Sequence, residues 1–152
     1  PYSGKWSYLQ QWLYEIVLEI QEQCIQQIKP GITIDQLNEW SWSAIESKLS
    51  ASFLKKGGTM KREYNKQPHN IGHLLGIQVH DGDPFRSYRN TPLKPGCILT
   101  IEPGLYGTFQ YKSESISIGI RIEDNILVTK DSYENLSKAI PKTPAELTKL
   151  IA

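Results

Sequence analysis

The period of the hydrophobic pattern changes once along this chain, and that change restricts the fold more than any other feature. Leu9, Leu13, Ile16, Val17, Ile20 and Cys24 recur at helical spacing with Gln and Glu on most of the other face, predicting an amphipathic helix over 7–28. Lys29, Pro30 and Gly31 stop it. Thr33 followed by Gln36 has the form of a capping box, and Ile34, Leu37, Ile45 and Leu49 stripe a second helix that Gly57-Gly58 ends. The polar stretch from Lys55 to Gln67 reads as a loop. Beyond it, Leu74 to Val79, Cys97 to Ile101 and Ile120 to Val128 are short runs rich in Ile, Leu and Val, bounded by turn residues. They predict strands of a mostly antiparallel sheet, the second entered through a tight turn at Leu93-Lys94-Pro95-Gly96. Thr143, Pro144 and Glu146 open a short final helix, since Pro suits the first helical position and Thr-x-x-Glu caps it. Two helices followed by a sheet make an α+β domain.

The bulk numbers exclude several classes. A chain of 152 residues suits one domain with a real core, and 39% hydrophobic with 22% charged residues excludes disorder and collagen-like structure. A net charge of +1 with no basic, aromatic-interleaved stripe sets nucleic acid aside as a partner. No apolar run approaches a membrane span and nothing resembles a signal peptide. Cys24 and Cys97 lie far apart in no metal-ligand spacing and read as free thiols, one on a helix and one in a strand, as in a reducing compartment. The chain begins at Pro1 without an initiator Met, which is read as a fragment or a processed product.

All three histidines, His69, His73 and His80, fall in the segment from Pro68 to Asp81. A surface loop with chance histidines is one reading. A zinc helix with ligands four apart is another, disfavoured by Gly72, Gly76 and the strand-like apolar pattern. Glu102 follows the apolar run Ile98-Leu99-Thr100-Ile101 and precedes Pro103-Gly104. An acid at the end of a buried strand is costly unless it is paired or bound to a metal. Glu123 is expected inside a strand, where alternation puts Arg121, Glu123 and Asn125 on one face. Taken alone, Arg121 and Glu123 read first as a cross-strand ion-pair face. Imidazole with carboxylates and no thiolate suits Mn, Fe, Co or Zn.

The blocks 69–81, 93–106 and 119–129 resemble, in order and spacing, the signature blocks of the pita-bread metallopeptidases. The resemblance runs from Pro1-Tyr2-Ser3-Gly4-Lys5-Trp6, similar to the Pro-x-x-Gly-Lys-Phe entry to the first catalytic helix, through Glu134-Asn135-Leu136. Val79-His80-Asp81 and Gly119-Ile120-Arg121-Ile122-Glu123-Asp124 look like the aminopeptidase P and prolidase branch. The resemblance implies that residues 1–152 are the C-terminal part of a pita-bread catalytic domain. It implies His73, Glu102 and Glu123 as metal ligands, with Glu123 bridging two divalent ions (manganese first, cobalt or zinc as alternatives). It further implies that Glu102 passes a proton, and that His69, His80 and Arg121 act in catalysis while lining the substrate pocket. The implied partners are peptides with proline in second position.

The family's metal site takes five ligands, two of them aspartates upstream of the Pro-x-x-Gly-Lys block. Asp35, Asp81, Asp83, Asp124 and Asp131 are not in the context to replace them. This chain alone is therefore expected to be inactive. Asn70 stands where a glycine is common, and 107–118, read as a loop, lacks the usual Tyr-Arg-Gly lead-in. Three expectations follow: part of an Xaa-Pro aminopeptidase; a catalytically silent pita-bread module serving as a scaffold subunit of a homo-oligomer or larger assembly; and a prolidase. The resemblance leaves the compartment open between cytoplasm and mitochondrion.

Overall fold

The computed structural model describes residues 5–62, 68–82 and 85–151. Its architecture is α+β: helix α1 (Tyr8–Ile25), α2 (Ile34–Lys48), strands β1 (Thr59–Lys61), β2 (Ile98–Ile101), β3 (Gly104–Tyr111), β4 (Glu114–Arg121), β5 (Asp124–Val128) and β6 (Tyr133–Asn135), then α3 (Pro144–Ile151). Each helix starts where its capping residues say it should. Ser7 and Thr33 accept from the backbone N–H groups of Gln10 and Gln36, whose side chains accept in return from the backbone N–H of the capping residue. The Thr143 hydroxyl caps α3 and donates to Glu146 at 2.7 Å. After α2 the chain makes one π turn and one 3-10 turn, and Gly57 ends the run with φ 91°.

The strands form two three-stranded antiparallel sheets, ordered β1-β3-β4 and β2-β5-β6. The N-terminal part of α1 (Leu9, Leu13, Ile16, Val17, Ile20) joins Leu105, Phe109 and Ile120 in one buried cluster. Its C-terminal end (Cys24, Ile25) joins Leu99, Ile101, Ile126 and Val128 of the second sheet in another. A single helix of ~27 Å thus covers both sheets. Each fully buried Leu or Ile contributes about 1.5–3 kcal/mol of transfer free energy.

Three strand expectations are corrected. The run Leu74–Val79 is not a strand: only Leu74 bridges, to Asp81 and Leu99, while Ile77 and Val79 are exposed. An apolar run without a partner ladder has no sheet to join, and the pairing instead falls earlier, at Ile71–Leu75. The expected strand Ile120–Val128 is two strands: β4 ends at Arg121, β5 starts at Asp124, and Glu123 lies in the break between them. The expected loop 107–118 is the β3–β4 hairpin, turning at Lys112 with φ 54°. Its signal was present in the alternation Ser115-Ile116-Ser117-Ile118, whose isoleucines are half-buried and whose serines are exposed.

Smaller differences follow the same logic. The polar stretch after Lys55 holds a 3-10 turn and β1, which pairs with β3, while residues 63–67 lie outside the described part. Cys97 sits at the turn before β2 rather than in it, and both cysteines are free. Pro1 to Gly4 of the entry block and Asp83 also lie outside the described residues.

Candidate metal centre

Glu102 and Glu123 occupy the two places where the chain crosses from one sheet to the other. Ile101 pairs with Asp124 at the end of the β2–β5 ladder, and Gly104 pairs with Arg121 at the end of the β3–β4 ladder. Glu102-Pro103 and Ile122-Glu123 span the gaps between these pairs. A residue at such a crossover has left one ladder before joining the next, so its side chain is aimed by the two sheets together.

His73 reaches the same place along β2. The N–H groups of Leu75, Thr100 and Glu102 donate to the carbonyls of Ile98, His73 and Ile71 at 2.9, 2.9 and 2.7 Å, so Ile71–Leu75 lies antiparallel beside β2. Gly72 permits this approach: a Cβ there would stand 1.9 Å from the Thr100 carbonyl oxygen. Asn38 of α2 secures the segment by accepting from the Ile71 N–H at 2.9 Å.

The result brings ligand atoms of His73, Glu102 and Glu123 within 4.8 Å of one another. His73 Nδ1 lies 3.0 Å from the Leu74 carbonyl oxygen. A carbonyl only accepts, so Nδ1 carries the proton and Nε2 keeps its lone pair in the neutral ring. That Nε2 faces Glu102 Oε1 at 3.5 Å. Glu102 is 8% exposed and its other oxygen lies 3.6 Å from Arg121 Nη1. The Thr100 hydroxyl also donates to Oε1 at 3.2 Å. A buried carboxylate needs such partners. One imidazole with a fixed free nitrogen and two carboxylates, with no thiolate, is a donor set that fits a divalent ion of borderline or hard character.

Around this group lies a cleft of about 280 Å³, lined among others by His69, His80, Arg86 and Tyr88. His69 donates from Nδ1 to the Asn70 carbonyl at 2.8 Å, and its Nε2 meets the Tyr106 hydroxyl at 2.7 Å. The His80 ring is 4.3 Å from the His73 ring, centroid to centroid. All three histidines, Glu102 and Arg121 therefore line one cleft, and Glu123 joins it through the ligand group. Arg121 is drawn to Glu102, not to Glu123 as a ladder neighbour would be, because the strand breaks between them.

Sequence reasoning missed Thr100, Tyr106, Arg86 and Tyr88. Thr100 had a signal: a hydroxyl in an apolar run on a buried strand requires a partner. Tyr106 had a weaker one, lying between Gly104 and Gly119, where a Cβ would come within 2.6 and 2.9 Å of its ring.

The profile of Metallopeptidase family M24 matches residues 2–130. The mitochondrial intermediate cleaving peptidase 55 of Arabidopsis thaliana is 42% identical over 147 residues, covering 93% of this chain and 28% of that protein. Human Xaa-Pro aminopeptidase 3 is 36% identical over 149 residues, covering 93% and 29%. Among solved structures, Icp55 from Saccharomyces cerevisiae bound to the inhibitor apstatin superposes with a TM-score of 0.80 at 33% identity, over 99% of this chain and 38% of that one. Zinc-substituted Escherichia coli aminopeptidase P in complex with product superposes with a TM-score of 0.69 at 26% identity, over 97% and 35%. The chain thus spans between about a quarter and two fifths of these relatives. Its two sheets and flanking helices have the pita-bread fold of those proteins, and the chain belongs to metallopeptidase family M24.

Proposed function

We propose that the protein carrying this chain is a dinuclear-metal Xaa-Pro aminopeptidase, hydrolysing the peptide bond before a penultimate proline. Residues 1–152 are read as the C-terminal part of its pita-bread catalytic domain. The observation that carries the reading is the convergence of His73, Glu102 and Glu123 within 4.8 Å beside His69, His80 and Arg121. Similarity to proteins named Xaa-Pro aminopeptidase supports the substrate class.

In this reading His73, Glu102 and Glu123 hold divalent ions, manganese first, together with the two aspartates that the family carries upstream of the Pro-x-x-Gly-Lys block. Two such ions supply a water of lowered pKa and a polarised peptide carbonyl. Glu102 takes the proton of the attacking water and delivers it to the leaving amine, being the buried carboxylate nearest the free nitrogen of His73. Arg121 lies 3.6 Å from Glu102 and lines the cleft, where it meets a charged group of the substrate. His69 donates from Nδ1 to a backbone carbonyl, so in the neutral ring Nε2 accepts from the Tyr106 hydroxyl, and only the protonated ring has an N–H to offer the scissile carbonyl. His80 shares the same wall. Without the two aspartates the set is incomplete, and this chain by itself is proposed not to turn over.

The test is hydrolysis of Xaa-Pro peptides by the whole protein after manganese reconstitution, with metal content measured in parallel. Release of the first residue from tripeptides and longer substrates is expected, together with stoichiometric metal. Cleavage confined to dipeptides would identify a prolidase. A well-folded protein with neither metal nor hydrolysis would identify a scaffold module.

A further inference from the structure

Outside the cleft, the buried carboxylate of Asp124, one residue along the chain from Glu123, pairs with the half-buried ammonium of Lys142. Asp124, the residue after Glu123, is 1% exposed. Its carboxylate receives Lys142 Nζ, at 2.5 Å from Oδ1, and the Asn135 amide at 2.8 Å from Oδ2. Asp124 is also the ladder partner of Ile101, the residue before Glu102. One ladder pair is thus flanked by Glu102 on one strand and Glu123 on the other.

The segment supplying Lys142 holds this corner from several directions. The Leu136 N–H donates to the Asn125 carbonyl at 2.9 Å, and the Ser137 hydroxyl accepts from the Asn125 N–H at 3.0 Å. The Lys142 backbone is held in turn, its carbonyl accepting from the Tyr14 hydroxyl of α1 at 2.7 Å. Such a pair is expensive to bury and tends to serve specificity of arrangement more than stability. Ile122 and Glu123, just before β5, belong to neither ladder, so the contacts at Asp124 and Asn125 are what fix the start of β5.

We propose that Lys142 is a positioning residue for the metal centre. Through Asp124 it sets the start of β5 and so the angle at which Glu123 leaves the crossover, and through the Ile101 pair it steadies Glu102. Removing the ammonium leaves a buried carboxylate without its cation. That carboxylate relaxes towards water, turning the crossover that carries Glu123. The inference rests on reading Glu102 and Glu123 as metal ligands.

The experiment measures manganese dissociation constants by calorimetric titration on the whole protein, at a temperature where circular dichroism shows every variant folded. Lys142→Met is expected to weaken binding by up to about tenfold, the low end of the range for a direct partner of a ligand, because Lys142 acts through Asp124 and touches no ligand itself. Lys142→Arg is expected to recover most of it. Phe53→Leu, whose ring contacts are with Trp12, Phe109 and Tyr111, is expected to lower the melting temperature without changing the constant. Should Lys142→Met not fold, Asp124→Asn with Lys142→Met leaves no buried charge and is expected to fold with weakened binding. Glu123→Gln separates the two ideas. If it binds manganese as tightly as wild type, the metal reading falls and this inference with it. If Glu123→Gln loses binding while the Lys142 variants keep it, the inference alone is overturned.

Discussion

The Thr100 hydroxyl donates to Glu102 Oε1 at 3.2 Å, from a position on β2 that is 2% exposed. The Thr100 hydroxyl oxygen in turn accepts the His73 backbone N–H at 3.0 Å. One hydroxyl therefore sets the distance between two candidate ligands that stand far apart in sequence. Removing it strands a donor and unties a carboxylate at once.

Thr100→Val is accordingly expected to cost about 1–3 kcal/mol, the desolvation penalty of an orphaned buried group. It is also expected to weaken manganese binding about tenfold. Thr100→Ser should do neither. Thermal melts and metal titration check both; a Val variant that melts and binds like wild type would remove Thr100 from the account.

Gly72→Ala is a sharper lesion than its size suggests. The added methyl would meet the Thr100 carbonyl at 1.9 Å, and that carbonyl belongs to β2, which cannot retreat without breaking its ladder with β5. Overpacking against backbone is expected to cost upwards of about 3 kcal/mol, seen as a lowered urea midpoint. Gly96→Ala meets no atom within 4 Å, and its cost comes from φ 89° alone.

Burial pushes the Cys24 thiol up to about 12 from its ordinary 9.0. The raised value means that the folded state keeps its proton where the unfolded chain loses it. The contribution to stability is present in full below 9.0 and is lost as pH rises from there towards 12. Denaturation midpoints should fall over that alkaline window, less steeply in Cys24→Ala. Native alkylation should modify Cys97 and spare Cys24, with the second cysteine reacting only after denaturation, as counted by mass spectrometry.

Glu146 titrates in the opposite sense. Its hydrogen bond from the Thr143 side chain, followed by backbone bonds from Thr143 and Lys142, holds its carboxyl below the ordinary 4.5. A depressed value stabilises the capped helix above 4.5, and the effect is lost as pH falls through the lowered folded value. The loss is local to α3. The Trp6 indole N–H reports it directly, because it donates to the Pro144 carbonyl at 3.1 Å and to Thr148 Oγ1 at 3.2 Å. Its proton resonance is expected to shift on acidification, and to be insensitive to acid in Glu146→Gln.

What could be seen in the sequence was what depends on near neighbours. The capping boxes at Ser7 and Thr33 and the stripes of α1 and α2 involve residues three or four apart, so composition and period suffice to place them. The residue types gathered around His69, His73, His80, Glu102, Arg121 and Glu123 pointed to a divalent-metal chemistry for the same reason: donor identity is a local property. Strand limits were harder. Leu74–Val79 carries a strand-like composition without a partner, whereas Ser115–Ile118 has the alternation of a strand but only two strand-favouring side chains.

By itself the sequence determined the helices, the α+β class and the list of chemistry-bearing side chains. Only the tertiary structure decided that Arg121 faces Glu102, that Thr100 joins His73 to it, and that Lys142 pairs with Asp124 beside Glu123. The physical reason is that each of these arrangements depends on a contact between residues 18 or more positions apart, brought together by a break in one strand and a glycine against another. Hydrophobic period reports which face of an element is buried. It carries no information on where two sheets exchange strands, and the candidate ligands Glu102 and Glu123 stand at that exchange.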